Sequence, residues 1–231
     1  MPPDAILFDL DETLTDRKRS FPRYVEHLQR DFGERLLAAA ATELVAAVTE
    51  ADGDGYRSRD ELAVALRAAL PWRSAPSAAE LIEHWLAWFP RATVARAGME
   101  EMLQALRAAG IRLGVVTNGG AANQRAKVEA LGLDRYVDSI IISGEAGIEK
   151  PDPRIFALAL AALDCEPSRA WFIGDHPRND VLGAAGAGLR AIWLRGVRPW
   201  PAGIAPPAHS VSSLRELCAL AVPAPHATPA C

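Results

Sequence analysis

Five short apolar runs punctuate the chain: residues 5–9 (Ala-Ile-Leu-Phe-Asp), 111–117 (Ile-Arg-Leu-Gly-Val-Val-Thr), 138–143 (Asp-Ser-Ile-Ile-Ile-Ser), 170–174 (Ala-Trp-Phe-Ile-Gly) and 189–194 (Leu-Arg-Ala-Ile-Trp-Leu). Each is brief, rich in β-branched residues and nearly unbroken in apolar character. That pattern predicts strands covered on both faces, not strands with one wet face. Between the runs, apolar residues recur at helical spacing. Met99, Met102, Leu103 and Leu106 form one stripe, Val128 and Leu131 mark a second, and Ile155, Phe156, Leu158, Leu160 and Leu163 a third. Asp152-Pro153 supplies a cap and a first-turn proline for that third helix. Strand and helix alternate from about residue 91 onward, which predicts a parallel α/β sheet.

Residues 17–90 read differently. They hold no strand pattern and are rich in Ala, Leu, Glu and Arg, with Leu36, Leu37, Ala40, Leu44, Val45 and Val48 as an apolar set. An all-helical segment of this size, inserted between the first strand and the rest of the sheet, predicts a second small domain. The expected division is therefore an α/β core of residues 1–16 plus 91–221 and a helical insertion of 17–90. From Val197 the chain carries seven of its 17 prolines, with a short helix expected over Ser213–Leu220 and a disordered tail over 222–231.

Bulk properties narrow the function only by exclusion. The 231 residues are 50% hydrophobic and 23% charged, which suffices for one sizeable core and a smaller companion. A net charge of −4 gives no reason to expect nucleic acid or an anionic membrane as a partner. Cys165, Cys218 and Cys231 share no metal-ligand spacing, so a reduced, cytoplasmic protein is expected. No apolar run reaches 18 residues, and no secretory signal is visible at the start. Oligomeric state is not legible.

The chemistry lies where the apolar runs stop. In open parallel sheets, ligands sit beyond the carboxyl ends of the strands. The first run ends in Asp9, with Asp11 two residues on. The second ends in Thr117-Asn118-Gly119-Gly120. Glu145, Glu149 and Lys150-Pro151 follow the third, and Gly174-Asp175-His176-Pro177-Arg178-Asn179-Asp180 follows the fourth. Taken singly, each has an ordinary structural use, as turn, cap or solvated lysine. Together they bring a nucleophilic oxygen, a proton carrier, a hydroxyl, a fixed positive charge and metal-anchoring carboxylates to one edge, which is what phosphoryl transfer requires.

Asp9-Leu10-Asp11-Glu12-Thr13, Thr117-Asn118-Gly119, Lys150-Pro151 and Gly174-Asp175 through Asp180 resemble the four ordered motifs of the haloacid dehalogenase-like (HAD) hydrolase superfamily. The helical insertion resembles the type 1 cap of its subfamily I. The resemblance implies a Rossmann-like α/β core and a Mg²⁺-dependent phosphatase acting on a small phosphorylated metabolite. It implies Asp9 as nucleophile, forming an aspartyl phosphate, and Asp11 as acid and then base. Thr117, Asn118, Gly119 and Lys150 would hold the phosphoryl group. Asp9, the Asp11 carbonyl and Asp175 would hold the metal, and Asp180 would support it. A 2-haloacid dehalogenase or a phosphomutase on the same fold is an alternative. Asp11 argues against the dehalogenase, whose chemistry needs no leaving-group acid. Substrate choice is expected to come from the cap, and no residue there is diagnostic.

Three features stand outside that set. Glu50–Glu61 resembles an EF-hand calcium loop, with carboxylates at Glu50, Asp52, Asp54 and Glu61 and a glycine at Gly55. Glu50 and Arg57 depart from the pattern, and no second loop exists. A glycine-rich connection between helices is therefore the expectation, with a non-catalytic calcium- or partner-binding protein as the rival. Trp72, Trp85, Trp88 and Phe89 are expected to pack in the helical core. Arg17-Lys18-Arg19 reads as a solvated run.

Overall fold

A computed structural model of the chain describes residues 2–222. Strand β1 (Ala5–Phe8) opens the fold, and a two-residue strand β2 (Thr15–Asp16) leads into four helices: α1 (Arg17–Phe32), α2 (Ala41–Asp52), α3 (Arg59–Ala69) and α4 (Ala78–Trp88). Strand β3 (Val94–Ala95) carries the chain back. Then follow α5 (Met99–Ala108), β4 (Arg112–Thr117), α6 (Ala121–Leu131), β5 (Ser139–Ile142), α7 (Ser143–Ala146), α8 (Pro153–Ala162) and β6 (Ala170–Gly174). A π-helical turn over Pro177–Leu182 runs into α9 (Gly183–Gly186), and β7 (Arg190–Leu194), β8 (Ser210–Val211) and α10 (Leu214–Ala221) complete the fold.

Contacts divide the chain into two compact units. One comprises the chain up to Thr15, Ala95–Gln124 and the chain from Gly132 onward. The other comprises Asp16–Val94 together with Arg125–Leu131, the second half of α6.

In the first unit six strands form one sheet in the order β5-β4-β1-β6-β7-β8, every neighbouring pair parallel. Ranked along the chain, this is the 3-2-1-4-5-6 order of a Rossmann fold, and the order reverses beside β1. β1 is buried along its whole length, as is β6, which accounts for their unbroken apolar runs. Leu7, Val116 and Phe172 pack against Ile155, Phe156 and Ala159 of α8, with the Phe156 and Phe172 rings edge to face at 5.1 Å. Asp152 caps α8 by accepting from the Arg154 N–H, as the Asp-Pro pair predicts. Leu158 departs from its expected stripe: it is exposed, lying off the face that Ile155, Phe156 and Ala159 bury.

The second unit is helical, with a core of Phe21, Tyr24, Leu28, Leu44, Val48, Leu62, Leu66, Leu81, Trp85 and Phe89. Ser58 and Ser77 begin α3 and α4 with reciprocal capping boxes to Glu61 and Glu80. Leu36, Leu37 and Ala40 do not continue the helical stripe. They precede α2, where Leu36 bridges to Trp72 and Leu37 is exposed.

The end of the expected tail, from residue 223, lies outside the described residues, as does Cys231. Among the described residues no helix is long and apolar enough to cross a membrane.

Candidate active site

Parallel pairing fixes where the polar strand ends fall. Phe8 is in register with Val115 of β4 and with Ile173 of β6. Asp9, Thr117 and Asp175 therefore leave three adjacent strands at the same edge, with β1 in the middle. Neighbouring strands lie about 4.8 Å apart, so the side chains at their tips meet.

Lys150 is the hub. Its Nζ donates to Asp9 Oδ1 at 2.6 Å and to Asp180 Oδ1 at 2.7 Å. Relative exposures are 7% for Asp9, 3% for Lys150, 2% for Asp175 and 1% for Asp180. A lysine this deep survives as a cation only because two carboxylates face it. Asp180 and Asp9 hold its pKa above the ordinary range despite the desolvation that opposes them. Both oxygens of Asp180 are engaged, the second accepting the His176 N–H at 2.9 Å. That bond closes the first turn after Gly174, where any Cβ would sit 2.3 Å from Asp180 Oδ2. Glycine is required there by space alone.

Among the described residues, Asp9, Asp175 and Asp180 are the one group of three or more metal-ligating side chains. Their ligand atoms lie within 4.8 Å of one another. Burial pushes the Asp9 carboxyl well above the carboxylate range, and the facing acids add to it while Lys150 opposes it. Burial and Asp180 push Asp175 up to about 7, against the pull of Arg198. Three buried carboxylates thus share two cations, Lys150 and Arg198, and the crowding favours a further hard cation. The donor set is all oxygen, which fits Mg²⁺, an ion bound through one or two carboxylates plus water and phosphate oxygens.

Asp11 belongs to a second cluster. Its Oδ2 accepts from Gln124 Nε2 at 3.0 Å, and the same nitrogen donates to Thr117 Oγ1 at 2.6 Å. Asn118 turns its side chain to the loop that carries Lys150: Nδ2 donates to the Lys150 carbonyl at 2.9 Å, and Oδ1 accepts the Lys150 N–H at 2.8 Å. The Gly119 N–H donates to Ser143 Oγ at 2.9 Å. Gly119 enters the site through its shape, with φ at +147° and no room for a Cβ against Gln124.

Three supporting residues carried no warning in the strand-end motifs. Gln124 is one, and its only signal is a place in the first turn of the helix after Thr117. Arg96 donates to the carbonyls of Glu12 at 2.5 Å and Thr13 at 3.1 Å, bracing the turn beyond Asp11 where Glu12 takes φ +60°. Arg198 donates from Nε to Asp175 Oδ2 at 2.7 Å, and Trp193 Nε1 donates to the Asp175 carbonyl at 3.1 Å. Arg198 lies in the proline-rich stretch, where no periodicity points to it.

The calcium-loop candidate comes apart by comparison. Asp52 accepts from Arg17 Nε at 2.8 Å and Nη2 at 2.5 Å. Glu61 is held by Ser58, accepting from its N–H and hydroxyl at 2.8 Å each. Two of the four proposed ligands thus have structural partners already. Arg17 is accordingly no free surface charge.

Residues 3–188 match the model of the haloacid dehalogenase-like hydrolase family. A glyceraldehyde 3-phosphate phosphatase of Pyrococcus abyssi is 30% identical over 200 residues, covering 83% of this chain and 81% of that protein. A phosphoserine phosphatase of Thermus thermophilus is 43% identical over 119 residues, about half of each: 51% of this chain and 47% of that protein. The crystal structure of the HAD-hydrolase YfnB from Bacillus subtilis superposes with a TM-score of 0.72 at 20% identity, covering 96% of this chain and 99% of that one. The chain is a hydrolase and belongs to the haloacid dehalogenase-like family.

Proposed function

We propose that this hydrolase is a phosphatase that cleaves a small phosphomonoester through an aspartyl phosphate on Asp9. The observation that carries the reading is the buried Lys150 bridge between Asp9 and Asp180, with Asp175 beside it and the Asp11–Gln124–Thr117 cluster at the same edge. The relatives named above, both phosphatases of small phosphorylated metabolites by name, support it.

In this reading an Asp9 oxygen attacks phosphorus, and the bond from phosphorus to the ester oxygen breaks. The electron pair stays on that oxygen, and Asp11 supplies its proton. Water then attacks the aspartyl phosphate, Asp11 takes a proton from it, and inorganic phosphate leaves with Asp9 restored. Thr117 donates to the phosphoryl oxygens, and the Lys150 charge offsets the charge that develops around them. Asn118 serves this indirectly by fixing the Lys150 loop, and Asp180 by aiming the Lys150 ammonium. Asp9, the Asp11 carbonyl and Asp175 would hold Mg²⁺, which when bound supplies positive charge to the phosphoryl oxygens. The helical unit is read as the inserted cap.

Hydrolysis of a phosphomonoester panel, assayed with Mg²⁺ and with EDTA, tests the proposal. Phosphate release that depends on Mg²⁺ is expected. Inactivity across the panel, or full activity in EDTA, would sink it.

A further inference from the structure

The most constrained polar side chain that lies outside the four motifs is Gln124. It is 1% exposed, and every polar atom it has is engaged. Its Nε2 carries two protons: one reaches Asp11 Oδ2 and the other Thr117 Oγ1. Its Oε1 accepts from Asn123 Nδ2 at 3.0 Å. The orientation of the amide follows from these partners, because the reverse flip would set two oxygens against each other at Asp11.

Building on the phosphatase reading above, we propose that Gln124 is a positioning residue that locks the proton carrier Asp11 to the phosphate-binding hydroxyl of Thr117. Two consequences follow from the geometry. Thr117 Oγ1 accepts a hydrogen bond from Gln124, so its own proton is directed elsewhere and the hydroxyl is left as a donor, the role an anionic phosphoryl group requires. Asp11 and Thr117 come from different strands, and one planar amide fixes the distance between them. Gly119 belongs to the same device, since an added Cβ there would stand 2.9 Å from Gln124 Cδ. The glycine of the Thr-Asn-Gly turn thus makes room for the amide.

Gln124→Met keeps the length of the side chain and removes both donors. The test compares wild type, Gln124→Met, Asp11→Asn and the double variant on phenyl, 4-nitrophenyl and 2,4-dinitrophenyl phosphate with Mg²⁺. A misplaced acid harms poor leaving groups most. kcat/KM for phenyl phosphate is therefore expected to fall about 10- to 100-fold in Gln124→Met, and the dinitrophenyl ester, whose leaving group needs no proton, to lose far less. Adding Gln124→Met to Asp11→Asn is expected to steepen the series no further, because the pair acts as one unit. A side chain that merely fills space would cost the same for all three esters and add in full to Asp11→Asn, and either result overturns the proposal. Gln124→Asn, too short to span both partners, provides the same comparison should the methionine variant not fold, and an unsteepened series there overturns it equally. A wild-type enzyme inert toward all three esters removes the phosphatase reading itself, and this inference with it.

Discussion

Both units bury acidic side chains, and they do so to opposite ends. In the helical unit Asp52 is 3% exposed and has a guanidinium laid across both its oxygens, and Arg17 also stacks on Phe89 at 4.8 Å. Charge there is matched one to one, and the pair ties the start of α1 to the end of α2. In the α/β unit Asp9, Asp175 and Asp180 crowd around one lysine and one arginine. Desolvation of an unmatched carboxylate is expensive, and the raised pKa values of Asp9 and Asp175 record that cost. A fold has no structural reason to keep such an excess. The contrast separates buried charge that holds a structure together from buried charge held ready for a ligand.

Neutralising one acid in each unit should have opposite consequences. Asp9→Asn is expected to lower phosphatase turnover by 10⁴-fold or more, since no other group can carry the phosphoryl. Its melting temperature in EDTA should equal or exceed that of wild type, because three buried carboxylates face two cations, the change removes that excess, and an amide oxygen still accepts from Lys150. Calorimetry beside a turnover assay reads both. Retained activity, or a large drop in melting temperature in EDTA, would place Asp9 among the structural acids.

Asp52→Ala should do the reverse. It leaves Arg17 half-buried without its main partner and is expected to destabilise the protein by about 3 kcal/mol, the lower end for a broken buried pair because Arg17 keeps some contact with water. Urea unfolding measures it. A change below about 1 kcal/mol would mean that the pair is no more than a surface bridge.

What the apolar pattern could and could not reveal follows the same division. All five expected strands are present within a residue of their predicted ends, because a strand buried on both faces must be apolar throughout. Strand β8 was not legible: two residues, Ser210–Val211, cannot display a period. Leu158 falls on the uncovered face of α8, which an apolar count does not reveal, and Leu37 lies ahead of α2 because nothing apolar marks where that helix begins. The placing of Asp9, Asp11, Thr117 and Asp175 at one edge is legible because strand ends in a parallel sheet have one place to go, and Lys150 and Asp180 reach it from the segments that follow β5 and β6. Gln124, Arg96 and Arg198 are not legible. A buried amide or guanidinium is defined by its partners, and those partners come from distant stretches of chain. The lack of a side chain at Gly119, which leaves room for Gln124, is likewise visible only once that partner is placed.

A cation should distinguish the two kinds of acid directly. Mg²⁺ at about 100 times its Kd stabilises a one-site protein by about 2.7 kcal/mol, so thermal unfolding of wild type is expected to shift upward with added Mg²⁺. Asp175→Asn should abolish the shift, and Glu61→Gln, which alters only a helix cap in the loop that resembles a calcium site, should leave it intact. A Mg²⁺ shift that survives Asp175→Asn would put the ion elsewhere. A Ca²⁺ shift lost in Glu61→Gln would restore the calcium loop.

The smallest effect tests the helical unit's own buried titratable group. The Tyr24 hydroxyl lies 3.0 Å from His84 Nδ1, and the His84 Nε2 lies 3.3 Å from Asp31 Oδ2. Burial lowers the His84 pKa, outweighing the Asp31 charge that raises it. The unfolded chain therefore takes up this proton before the folded one does. Stability is full above the unfolded value of about 6.5 and falls as pH drops from there through the lower folded pKa. One proton limits the slope to about 1.4 kcal/mol per pH unit. His27 is lowered in the same sense, by burial and by Arg30, so its contribution must be removed first. In a His27→Gln background, His84→Gln should flatten the acid side of the stability curve between pH 5 and 7, measured by urea unfolding, without altering the Mg²⁺ shift. An unchanged slope would mean that His84 is protonated in the folded state, held by Asp31. The helical unit would then hold a buried imidazolium paired with the exposed Asp31, and the contrast with the strand-end acids would narrow to charge balance alone.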